Sequence, residues 1–279
     1  MRHKITCLFI CLVWISGCSQ RTTSEQPLVQ QHNVVELSKK ETIPASFFPD
    51  PVQIVSIGDS LTQGVGDSKD NGGYLPYLQK NLEKEPSITS VEMINHGVRG
   101  NRTDQLLKRL DKSRVQEDIE QADSIVVTIG GNDIMRVFKQ NFSNLELNQF
   151  DSAKLGYEKR LRQILDKVRS ENQQAQIYLV GVYNPFSKWF ADFYELDEIM
   201  NDWNDSGKKI ITEYDSAYFI EIDDIFQNSK EDLLYTEDYF HPNDRGYELI
   251  AERIYNNMEV LTIGKDTMEA SAKGDDDQE

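Results

Sequence analysis

The sequence predicts an α/β fold, a three-layer α/β/α arrangement on a five-stranded parallel sheet, confined to about residues 51–263. Two observations point to it. Five short runs of β-branched and apolar residues alternate with stretches of helical period. The runs are also apolar at consecutive positions, as in strands that helices cover on both faces. A sheet of this kind holds its ligand beyond the carboxyl ends of its strands, so the residues that follow each run are where chemistry is expected.

The first strand is VQIVSI (52–57), a central strand that stops abruptly at Gly58-Asp59-Ser60. A helix is expected near 74–84, then a second strand, SVEMIN (90–95), and the turn NHGVRGNRT. Gly97 and Gly100 relieve the steric limits of that turn, and Thr103 stands as the N-cap of the helix DQLLKRL, 103–110. The third strand is SIVVTI (124–129), followed by IGGNDIM and a longer connection, MRVFKQNFSNLELNQF. A helix over 154–170 leads to the fourth strand, QIYLVGV (176–182). After it an aromatic connection carries Phe186, Trp189, Phe190, Phe193, Tyr194 and Trp203 into a helix over 195–214, and AYFIEI (217–222) is the fifth strand. In the last helix, 244–258, Tyr247, Ile250, Ala251, Ile254 and Met258 recur at helical spacing, and Asn243 is placed to cap it.

The two ends read differently. MRHKITCLFICLVWISGCSQ has the cationic start, short apolar run and small-residue ending of a secretory signal. Its close, ISGC, resembles a bacterial lipobox, which implies removal of residues 1–17 and diacylglyceryl modification of Cys18; the plainer alternative is an ordinary signal peptide cut near Gly17. Two acyl chains suffice for stable membrane attachment. Residues 18–50 are polar and without period, as in a tether, and 264–279 form an acidic tail expected to be disordered.

Cys7, Cys11 and Cys18 are the chain's three cysteines. All fall in the leader or at its cleavage point, so the mature domain has no thiol for a disulfide, a metal or nucleophilic catalysis. Losing Arg2 and Lys4 with the leader takes the formal charge from −17 to −19, a surface that repels nucleic acid.

Four motifs follow strands. In Gly58-Asp59-Ser60 the serine is exposed at a strand end, although the same tripeptide is common cap chemistry. In NHGVRGNRT a glycine N–H can face a cleft, and in IGGNDIM Asn132 reaches the strand end with its amide free to donate. In EDYFHPNDRGY, Asp238 and His241 are close enough for the carboxylate to accept a hydrogen bond from Nδ1, which leaves Nε2 to take a proton from a hydroxyl. Of four histidines, His3 lies in the leader and His32 in the tether, and His96 has no carboxylate at matching spacing and reads as structural.

These blocks, in this order, resemble the SGNH or GDSL hydrolase superfamily; GDSLTQGVG and HPNDRGY are near-complete matches, and the likeness covers about residues 51–263. The resemblance implies a flavodoxin-like hydrolase fold, with Ser60 as nucleophile, His241 as base and Asp238 as its orienting partner. It also implies an oxyanion hole made by the Ser60 and Gly100 amides and the Asn132 side chain. No metal or organic cofactor is implied. Where family members often have a small polar residue after Gly100, this chain has NRT, which brings Arg102 near the site.

The expected activity is serine-dependent hydrolysis of carboxylic esters at the outer face of a bacterial membrane. A small-molecule or lipid ester is the expected substrate, and O-acetylated carbohydrate is the alternative. A non-catalytic tethered binding protein is the alternative of another class. The aromatic connections are read either as a lid or acyl pocket or as packing beneath their own helices.

Overall fold

The computed structural model describes residues 50–186 and 194–258. The expected leader, Cys18, tether and acidic tail lie outside the described residues, as do Trp189, Phe190 and Phe193. Five strands, β1 (Asp50–Gly58), β2 (Ile88–Gly97), β3 (Ser124–Thr128), β4 (Gln176–Val180) and β5 (Ala217–Ile220), form an all-parallel sheet in the order β2-β1-β3-β4-β5. That is a flavodoxin-like order. Each expected strand is present to within a few residues. The first is interior but not the middle one: β3 holds that place.

Nine helices are described: α1 (Ser60–Gln63), α2 (Leu75–Leu82), α3 (Thr103–Arg109), α4 (Ser113–Glu120), α5 (Gly131–Asn141), α6 (Leu147–Glu171), α7 (Tyr194–Ile211), α8 (Asp223–Gln227) and α9 (Asp244–Asn256). Alternate residues of each interior strand face opposite layers. Val55 and Ile57 of β1 join Ile125 and Val127 of β3 in a core with α3 to α7, whereas Ile54 and Val126 pack toward α2 and α9. The interior strands are therefore buried on both sides, which is why they read as continuous apolar runs.

Four helices were not expected: α1, α4, α5 and α8. The most consequential is α5, which occupies the start of the supposed connection after Asn132. Its Ile134 and Val137 are buried and Phe138 packs beside them, at i, i+3 and i+4, so the segment is helical because one face reaches the core. The following helix, α6, begins at Leu147 rather than 154, since Phe150 and Tyr157 extend its buried stripe. Trp203 is buried against Tyr157, with ring centroids 4.7 Å apart, so that aromatic residue belongs to the core. Phe186 is partly buried beside Phe138 and Phe240.

Register sets the site. Gly58 of β1 pairs with Gly97 of β2 and with Thr128 of β3, so three neighbouring strands end abreast. Gly58 has φ +153°, and a Cβ there would sit 2.2 Å from the Thr128 carbonyl oxygen. Gly58→Ala is therefore expected to destabilise the fold by more than about 2 kcal/mol, from backbone strain and displacement of β3. Urea unfolding of wild type and variant measures it.

Candidate active site

Ser60 opens α1, a single turn whose N-cap is Asp59. The Asp59 side chain accepts from the Leu61 N–H at 3.1 Å and from the Thr128 hydroxyl at 3.0 Å, which locks the turn to the end of β3. The Asp59 N–H also donates to the Thr128 carbonyl at 3.1 Å. Thr128 in turn meets the Thr62 hydroxyl at 2.8 Å, and Thr62 meets the Tyr74 hydroxyl at 3.1 Å. All of these side chains are buried, so the turn that bears Ser60 stands on a closed polar network.

His241 reaches the same place from the loop before α9. Its Nδ1–H donates to Asp238 Oδ2 at 2.6 Å, which leaves Nε2 to accept from the Ser60 hydroxyl at 2.9 Å. Asp238 Oδ1 accepts from the backbone N–H groups of Phe240 and His241, each at 3.0 Å. Burial pushes the Asp238 carboxyl up, but these bonds from the ring and the two amides outweigh it and hold its pKa below the ordinary carboxylate value. Asn243 caps α9 as expected, accepting from the Gly246 N–H at 3.0 Å. Tyr183, at the end of β4, donates its hydroxyl to the Phe240 carbonyl at 2.6 Å and thereby braces the histidine loop. No local pattern marks Tyr183 for this task.

The oxyanion candidates come from the neighbouring strand ends. Gly100 has φ +77°, its N–H has no acceptor among the described residues, and a Cβ on it would meet nothing within 4 Å. Asn132 lies in the first turn of α5, and its Nδ2 donates to the Asn101 carbonyl at 3.1 Å. The amide expected to be free is thus half engaged: one N–H anchors it to the Gly100 loop and the other remains for a ligand. Ser60, Asn132 and His241 line one crevice, and Gly100 lies outside that lining on the β2 side.

Three further expectations are corrected. Thr103 is not the N-cap of α3; Arg102 holds that position. Thr103 instead gives its N–H and hydroxyl to the buried Asp133 carboxylate at 2.9 and 2.7 Å, and Arg160 of α6 completes the cluster at 3.1 Å. This cluster ties the start of α3, after Gly100, to the start of α5, after Asn132. Arg102 turns to Asp104 at 3.0 Å, whereas Arg109 binds the carbonyl of His96 at 2.7 Å and Asn101 Oδ1 at 3.2 Å, bracing the glycine loop from beneath. His96 does have a carboxylate: Asp118 of α4 meets its Nε2 at 2.8 Å, a pairing at the sheet edge that suits a structural role.

The chain matches the family described as GDSL-like lipase/acylhydrolase over residues 56–249, which includes every one of these blocks. It belongs to that family. It is accordingly a GDSL-type carboxylic ester hydrolase. The chain is 35% identical over 256 residues to the uncharacterized protein YpmR of Bacillus subtilis, covering 91% of this chain and 95% of that one. It is 25% identical over 210 residues to the spore germination lipase LipC of Bacillus licheniformis, covering 73% and 94%. Among solved structures it resembles the lipase Lip_vut3 from a goat rumen metagenome, with a TM-score of 0.65, 24% identity and coverage of 73% and 95%.

Within this GDSL-type site Asp59 stands out electrostatically. Desolvation raises its pKa from 3.8 to about 7 against the hydrogen bonds it accepts, and nearby Asp133 adds to the rise. The folded protein therefore keeps a proton on Asp59 that the unfolded chain releases near 4, so stability falls as pH rises from about 4 to 7 and the loss is complete above that window. The expected loss is of the order of a few kcal/mol. In Asp59→Asn this component of the slope is expected to disappear, and urea midpoints at pH 5, 6, 7 and 8 for both proteins measure it.

Proposed function

We propose that Ser60 is the nucleophile of this ester hydrolase, His241 its general base and Asp238 the residue that orients the base. The observation that supports these roles is the unbroken hydrogen-bonded line from Asp238 through His241 to Ser60, at 2.6 and 2.9 Å. With Nδ1 committed to Asp238, Nε2 takes the hydroxyl proton as Ser60 Oγ attacks the ester carbonyl. Negative charge then develops on the carbonyl oxygen. The Ser60 and Gly100 N–H groups and the remaining Asn132 N–H are its donors, and their positions are set before substrate arrives. His241 next protonates the departing alcohol, and water, activated by the same nitrogen, releases the acyl group.

The enzyme is proposed to act outside the cytoplasm, held at the membrane by lipid on Cys18. The support is the leader pattern that ends in ISGC, followed by a polar stretch long enough to separate anchor from domain. A binding protein on an idle hydrolase scaffold would have no need of a base and nucleophile in hydrogen-bonding register.

Ser60→Ala is expected to lower kcat on a chromogenic ester by roughly 10⁴ to 10⁶ with the fold retained, as measured by steady-state kinetics beside circular dichroism. Asn132→Ala is expected to lower kcat by about 10² to 10³ with KM little changed, because its free N–H acts on the transition state. A loss confined to KM would mean that Asn132 holds the ground state instead. Cys18→Ser is expected to move the protein from the membrane fraction to the soluble one without loss of hydrolysis, and fractionation of expressing cells shows this directly.

A further inference from the structure

We infer that the enzyme is selective for esters of short acyl groups, of two to about four carbons, and that Gly131 supplies the room for the carbons beyond an acetyl group. The inference rests on the ester-hydrolase reading of the Ser60 site. A crevice of about 40 Å³ opens beside Ser60 between the ends of β3 and β4. Among the described residues its walls are mostly apolar, formed by Ile129, Gly131, Val180, Val182, Tyr183 and Phe240. One water-sized group needs about 10–15 Å³ by this measure, so the crevice admits roughly three such groups beside the serine. That accommodates the chain of a butyryl ester, and a longer acyl chain gains no further burial within the crevice. The opposite side of the serine, toward β2, is the polar Gly100 loop braced by Arg109, which offers an acyl chain no comparable apolar wall.

Gly131 is singled out by contrast with its neighbour. Gly130 has φ +120°, and a Cβ there would lie 3.0 Å from the Tyr157 ring, so backbone and packing both call for glycine. Neither applies to Gly131. Its φ lies outside the left-handed region, and a Cβ built on it meets no atom within 4 Å. It is also the first residue of α5, where alanine would favour the helix more than glycine does. What the missing side chain leaves is space at the crevice wall. A methyl group there would take up much of the room beyond an acetyl group and leave the hydrogen bonds of Asn132 untouched.

The test is the dependence of kcat/KM on acyl length, using p-nitrophenyl acetate, butyrate, hexanoate and dodecanoate with the purified protein. For wild type, kcat/KM is expected to rise about fourfold per methylene from acetate to butyrate, the factor for burying one CH₂, and to fall from hexanoate onward. Gly131→Ala is expected to lower the butyrate-to-acetate ratio at least fivefold with an unchanged melting temperature. Val182→Ala, which removes bulk from another lining residue of the crevice, is expected to shift the optimum toward hexanoate. Dodecanoate cleaved by wild type as well as butyrate would overturn the crevice as the limit. If Gly131→Ala slowed all four esters equally, Gly131 would act on the Asn132 turn and the assignment would fall. Wild type inactive on every ester would instead remove the Ser60 reading itself, and the acyl limit with it.

Discussion

Everything in the site depends on the parallel register that ends β2, β1 and β3 at the same level. Gly97, Gly58 and Thr128 lie side by side, and the chain leaves each strand with a different short path: three residues to Gly100, two to Ser60, four to Asn132. A shift of one residue in an interior strand would exchange its two faces, because side chains alternate, and set each against the helix layer packed for the other. Packing of the interior strands against both helix layers thus holds the register, and the register places Ser60 between the segments that carry Gly100 and Asn132. Hydrophobic packing far below the cleft therefore governs the geometry at the cleft itself.

Three carboxyl groups gather around this edge, and each meets the cost of burial differently. Asp238, the most exposed, is held ionised by two backbone amides and the imidazole. Asp133 is almost fully buried and is paired with Arg160 and the Thr103 donors. Asp59 has no cation against it and keeps its proton up to about pH 7. Only one of the three therefore directs its charge at the histidine.

Membership of the GDSL-like lipase/acylhydrolase family establishes the class of reaction, and a fold of this type serves many ester substrates. The features proposed to discriminate among them lie beside Ser60 between the ends of β3 and β4. There Gly131, Val182 and Tyr183 form the crevice, and Tyr183 also supports the histidine loop through the Phe240 carbonyl. Substrate fit and base positioning thus share a side chain, so a bulky acyl group that displaced Tyr183 would also disturb His241.

Taken by itself, the chain determined the five strands and the helices with clear period, and with the family resemblance it marked Ser60, Gly100, Asn132, Asp238 and His241 as candidate site residues. These are local matters: apolar runs, caps, and an Asp and His three residues apart that must be neighbours in any short loop. The leader-like pattern that ends at Cys18 is legible in the same way, without any tertiary contact. The start of α5 was missed because Gly-Gly-Asn reads as a turn, and its helicity comes from Ile134 and Val137 reaching a core built by other segments. The Thr103–Asp133–Arg160 cluster, the bracing by Arg109 and Tyr183, and the His96–Asp118 pair were decided only by the tertiary structure. Their partners are 8 to 57 residues apart, and which polar group meets which depends on how helices pack across the sheet. The proton on Asp59 belongs with them: its sequence neighbours would leave it an ordinary carboxylate, and only complete burial beside β3 removes the water that would keep it charged.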